Sequence, residues 1–94
     1  MYALVGHVKI DPGRIDQAEK QLSEMVIPAV SGAKGFVSGT WAHSDELGSG
    51  VSIATFETEE DARAFLAGMQ SMPMPPDSPV TIESMELYRV AGTA

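Results

Sequence analysis

With 94 residues, a net charge of −7 and no cysteine, the chain suffices for one domain, is too acidic to gather nucleic-acid phosphates, and has no disulfide, thiol nucleophile or zinc–thiolate site. Hydrophobic residues at 44% and charged residues at 20% are ordinary for a globular protein and exclude a disordered chain. The opening MYALVGHV enters a strand pattern at once without a basic leader, and no apolar run approaches the ~20 residues of a membrane span, so one soluble, unprocessed, cytoplasmic domain over 1–94 is expected.

Residues 2 to 11 alternate, with Tyr2, Leu4, Gly6, Val8 and Ile10 on one face and Ala3, Val5, His7, Lys9 and Asp11 on the other. The even face is expected to meet the helices. Asp11-Pro12-Gly13 breaks the strand, Asp11 serving as N-cap and Pro12 taking the first helical position. Ile15, Ala18, Leu22, Met25, Val26 and Ala29 then form one helical stripe. Pro28 lacks an N–H and crowds the preceding turn, so the helix is expected to kink or end near Ile27, with residues 31–35 as its exit.

Phe36 to His43 reads as a second strand with Val37, Gly39, Trp41 and His43 on one face, and Gly39 in its middle signals a bulge or a close contact. Residues 44–50 form a polar hairpin loop leading to a β-branched strand from Val51 to Phe56. Thr58 is placed to cap a helix by accepting the N–H of Asp61, and Glu59, Glu60 and Asp61 suit the positive end of its dipole. Ala62, Phe65, Leu66 and Met69 give that helix one apolar stripe. Residues 70–79 hold four prolines with Met72 and Met74, exclude regular structure, and read as an apolar lid or a fixed plug. The last strand runs from about Val80 to Val90 with a bulge near Ser84, and 91–94 should fray.

The order β-α-β-β-α-β predicts an α+β, ferredoxin-like fold: two helices on one face of a four-stranded antiparallel sheet, strand order 4-1-3-2. The second face stays uncovered. It is expected to carry Val5, Val37 and Trp41 and to require a partner.

The opening strand into Asp11-Pro12-Gly13, the run Gly35-Phe36-Val37-Ser38-Gly39 and the run from Ala54 to Ala62 resemble the antibiotic-biosynthesis-monooxygenase-like group of dimeric α+β barrels. The resemblance is good over residues 2 to about 69 and rests on structural motifs. It implies a homodimer whose protomers press their open sheet faces together, each keeping a small-molecule cavity between sheet and helices. The group includes cofactor-independent quinone-forming oxygenases and haem-degrading oxygenases. Haem-degrading members use an asparagine on the first strand with a tryptophan and a histidine of the second helical segment; this chain contains no asparagine, and Glu59 to Met69 hold neither Trp nor His.

His7 and His43 are the side chains suited to proton transfer near neutrality. In the expected strand order another strand separates them, leaving their backbones roughly 9 to 10 Å apart. Metal ligands must converge to about 2 Å, so no metal site and no bound cofactor are expected. His7 is the candidate catalytic base, its plainer role being a hydrogen bond across the dimer. Trp41, His43, Phe65, Met69, Met72 and Arg89 are candidates to line the ligand pocket. Trp41 serves equally as a core or interface anchor, and Arg89 pairs either an anionic ligand or a carboxylate such as Glu86 or Asp11. The leading expectation is a cofactor-independent monooxygenase acting on an aromatic or polyketide-like compound. The competing one is a non-enzymatic ligand-binding or orphan scaffold, and a haem-binding or haem-degrading protein, with His7 or His43 as axial ligand, comes third.

Overall fold

The computed structural model describes residues 1–71 and 77–94. Four strands, β1 (Tyr2–Ile10), β2 (Phe36–Ser44), β3 (Ser49–Phe56) and β4 (Val80–Arg89), form one antiparallel sheet in the order β2-β3-β1-β4. This is the expected 4-1-3-2 order read from the other edge, and the fold is ferredoxin-like. Between β1 and β2 lies a helical arm made of α1 (Ile15–Gln21), a π-helical turn (Leu22–Val26) and α2 (Ile27–Ser31). Helix α3 (Glu59–Ser71) joins β3 to β4 and packs against β1, β3 and β4.

The local signals act as their chemistry dictates. The Asp11 carboxylate accepts the N–H of Gly13, with Pro12 at the start of a single 3-10 turn. Thr58 Oγ1 accepts the N–H of Asp61 at 3.1 Å, and the three acidic residues occupy the first turn of α3. Gly35 adopts φ 78° at the exit of the helical arm, where an added Cβ would strike the Asp61 carboxylate.

Pro28 does not end its helix. Instead the preceding turn widens to π geometry, with the N–H of Ile27 reaching back to the carbonyl of Leu22, and the chain stays helical to Ser31. The wide turn rotates everything after it. Val30 rather than Ala29 enters the core, and Met25 is 55% exposed although it stands on the expected stripe.

The core is small and lies toward the Phe56 end of the sheet. Leu4, Val30, Ala54, Phe56 and Ala62 are buried there; Phe36 meets Phe56 edge to face at a ring separation of 6.0 Å, and Phe65 packs tilted against it at 5.4 Å.

Two β-bulges set which side chains face the helices. On β4 the partner of β1 jumps from Ser84 to Ile82, leaving Glu83 as the extra residue, close to where the sequence places the irregularity. On β2 the partner of β3 passes from Phe36 to Ser38, leaving Val37 as the extra residue. This second bulge corrects the expected faces of β2. Beyond it Gly39, Trp41 and His43 share the helix side with Phe36, so Trp41 is absent from the uncovered face. That face instead carries Val5, Val51 and Ile53 at its centre, bordered by Thr40, Ala42, Thr55 and Glu86.

Candidate functional site

Strand register sorts the helix-facing side into rows running across the sheet from β4 to β2. The row at the core end is Arg89, Tyr2, Phe56 and Phe36; the next is Leu87, Leu4, Ala54 and Gly39. Then the side chains thin out. The third row is Met85, Gly6, Ser52 and Trp41, and the fourth is Ile82, Val8, Gly50 and His43. Gly6 at the centre of β1 and Gly50 near the start of β3 thus interrupt the side chains of the sheet where a neighbouring group can approach the backbone closely.

What lies over those glycines is specific. An added Cβ on Gly39 would fall 2.6 Å from Cη2 of Trp41, so the indole leans across Gly39 and separates the core rows from the thin ones. A Cβ on Gly50 would fall 3.0 Å from Cδ2 of His43 and 3.0 Å from Cγ2 of Val8, so the imidazole rests on the main chain of β3. A Cβ on Gly6 would fall 2.6 Å from both Met85 Sδ and Ser52 Oγ. The helices carry the half-buried apolar residues Leu22, Val26, Leu66 and Met69, of which Leu66 packs against the core cluster. An aromatic plane, an imidazole, a hydroxyl and a thioether therefore line this half of the helix-facing side, each covering a neighbouring glycine, with Trp41 and Met85 also packed against the core cluster.

His7 is elsewhere. Its register partners are Val51 and Ser84 on the face away from the helices, and it is exposed. His7 and Trp41 are consequently on opposite sides of the sheet, and within one protomer they do not form a shared cavity of base and aromatic wall. The cause is the Val37 bulge, since one extra residue exchanges the faces of every side chain beyond it. His7 borders a shallow depression of about 320 Å³ that Val8, Ala42, His43, Ser44, Ser49, Gly50, Val51 and Glu83 also line, so both histidines reach this one depression although their registers assign them to opposite faces. His7 and His43 point to opposite faces from strands separated by β3. Among the described residues no group of three or more acidic or histidine side chains is gathered as for a metal ion.

The remaining candidates divide. His43 and Met69 fall on the thin side. Phe65 packs on Phe56 and belongs to the core. Arg89 is exposed at the end of β4 in the Phe56 row, three rows and about 20 Å along the strands from His43. Met72 lies outside the described residues, as does most of the segment read as a lid or plug. Ser52, Met85, Gly6 and Gly50 were not among the sequence candidates. Only Gly6 gave a signal in the sequence, as a glycine in the middle of a strand pattern at the parity of Leu4; Gly50 falls in the expected hairpin loop.

No helix among the described residues is long and apolar enough to cross a membrane. No family model matches the sequence, and no curated protein sequence matches it. Solved structures do. MhuD from Mycobacterium tuberculosis, a haem degrader with two haems bound in its active site, is similar with TM-score 0.75 and 12% identity, over 100% of this chain and 99% of that one. SnoaB, a cofactor-independent oxygenase from Streptomyces nogalater, is similar with TM-score 0.63 and 18% identity, over 98% and 94% of the two chains. The ActVA-Orf6 monooxygenase of Streptomyces coelicolor, in complex with nanaomycin D, gives TM-score 0.58 and 20% identity, over 99% and 91%. At these identities the likeness is one of fold: over essentially its whole length this chain folds as these three proteins do.

Proposed function

We propose that this chain binds a flat, largely apolar aromatic compound between the thin half of its sheet and the helices, and that it works as a homodimer joined through the uncovered sheet face. The observation that carries the binding reading is the row Met85–Gly6–Ser52–Trp41 beside Gly50 and His43, where an aromatic plane, a hydroxyl, a thioether and an imidazole stand together over a sheet floor interrupted by glycines. The dimer reading rests on the exposed apolar centre of the other face, where Ile53 is 42% exposed beside Val5 and Val51.

The chemistry proposed for the site is cofactor-independent oxygenation of a phenol. His43, the histidine on the helix side, accepts the phenolic proton, and Trp41 holds the ring. The electron-rich phenolate then supplies the electrons and dioxygen is the oxidant. A ring C–H carbon gains one oxygen atom to give a quinone, and the second oxygen leaves as water. A haem does not fit as well. His43 lies over Gly50, where Val8 and Ile10 also crowd, and the third and fourth rows carry no lysine or arginine to meet haem carboxylates.

The test uses 1,5-dihydroxynaphthalene. Saturable quenching of Trp41, the sole tryptophan, is expected, and loss of that saturation in the wild-type protein overturns the binding reading. Formation of 5-hydroxy-1,4-naphthoquinone, followed by its visible absorbance and by oxygen uptake, is expected to fall by about 10²-fold or more in His43→Ala. Quinone formation no faster than in buffer would reduce the protein to a binding scaffold.

A further inference from the structure

Resting on the binding reading above, the geometry points to Met85 as the residue that sets the length of ligand the site accepts. Met85 stands directly across from Gly6 on the edge strand β4, and Gly6 is in turn flanked by Ser52 on β3. The missing side chain of Gly6 would leave a gap in the middle of the sheet floor. Two neighbours close it: Met85 Sδ and Ser52 Oγ each lie 2.6 Å from where a Cβ of Gly6 would be, with Met85 Cε at 3.7 Å. The thioether arm is therefore laid sideways from β4 over β1.

This arrangement bounds the site on one side. A planar molecule stacked beside Trp41, on β2, extends along the row over Ser52 until it meets the methionine laid over Gly6. Trp41 covers Gly39 on the core side, and Met85 covers the β4 end of the row, so a ligand lying along the row toward β4 is stopped by the methionine. Removing the Met85 arm frees about one more strand spacing, about 4.8 Å, which accommodates a further fused ring. Ser52 cannot play the same part, because its side chain ends at the hydroxyl. Methionine suits the task because its unbranched arm packs against apolar groups without a fixed shape, and here it also leans on the buried core at its base.

The experiment compares a two-ring probe, 1,5-dihydroxynaphthalene, with a three-ring probe, 1,8-dihydroxyanthraquinone, by quenching of Trp41 in the wild-type protein, Met85→Ala and Met85→Val. The valine variant trims Sδ and Cε while keeping the contact with the core, so the comparison survives if the alanine variant does not fold, as judged by circular dichroism. The wild type is expected to prefer the two-ring probe. Trimming Met85 is expected to tighten binding of the three-ring probe by about tenfold or more, with a change of roughly threefold or less for the two-ring probe. Equal changes for both probes, or none, in folded variants that bind would overturn the role of Met85 and leave the site intact. Binding of neither probe by any of the three proteins would overturn the site itself, and Met85 with it.

Discussion

Tyr88 shows how one neighbour on a strand changes the chemistry of a side chain. Its hydroxyl donates to the carboxylate of Glu86, two residues back on the same side of β4. That hydrogen bond, followed by the negative charge of Glu86 and a small loss of solvation, raises the Tyr88 pKa above its ordinary 10.0. The folded chain therefore holds the phenolic proton more tightly than the unfolded chain does. The resulting stabilisation is present below pH 10 and is lost as pH rises through the folded-state value; because Tyr88 is exposed, the effect is read better on the tyrosine than on stability. In absorbance titration at alkaline pH, Tyr88, identified by comparison with Tyr88→Phe, is expected to ionise above the ordinary value, and Glu86→Gln is expected to bring it down toward about 10. An unchanged midpoint in Glu86→Gln would show that the carboxylate is not the cause. Residue types at this scale were legible in the sequence, but the partners were not: His43 was visible as a proton acceptor, whereas its rest on Gly50 depends on which strand lies beside β2.

At the scale of elements the sequence is most explicit where the signal is short and local. The threonine cap of α3 is such a case. Thr58→Ala removes the acceptor of the Asp61 N–H and should cost about 1 kcal/mol, a fall in melting temperature of about 4–8 °C for a domain of this size by circular dichroism. Substituting Thr58 by Ser retains the oxygen and should recover most of the difference; an alanine variant melting with the wild type would contradict the capping role. The helical arm is the opposite case. Its apolar spacing predicts one stripe from Ile15 to Ala29, and the proline inside it predicts a kink or an end near Ile27. The chain resolves the conflict by widening the turn before Pro28, so the helix continues and its buried face moves from Ala29 to Val30. The periodicity could not contain that rotation, because it assumes one constant number of residues per turn.

For the whole molecule the uncovered sheet face is the feature with the largest consequence. Val5, Val51 and Ile53 sit side by side there without helices above them, while Glu86 and His7 stand at the margin. Homodimerisation through this face predicts a dimer by light scattering at micromolar concentration. Ile53→Glu places a charge at its centre and should yield a monomer with the secondary structure retained, since Ile53 does not belong to the buried core. A wild-type monomer, or an Ile53→Glu dimer, would overturn the proposed interface. The sequence by itself determined the four strands, the helical segments, the turn residues and the order in which they fold together, because hydrophobic period, caps and turn chemistry act between residues near in the chain. Only the tertiary structure decided which face carries Trp41, that His7 and His43 look in opposite directions, and that Gly6, Ser52 and Met85 meet in one row. The physical reason is strand register: Val37 on β2 and Glu83 on β4 are extra residues left unpaired by their neighbours, and a one-residue shift exchanges the two faces of a strand. Nothing within β2 alone fixes where that residue is spent. The pairing with β3 does, and with it the side of the sheet on which a ligand can be held.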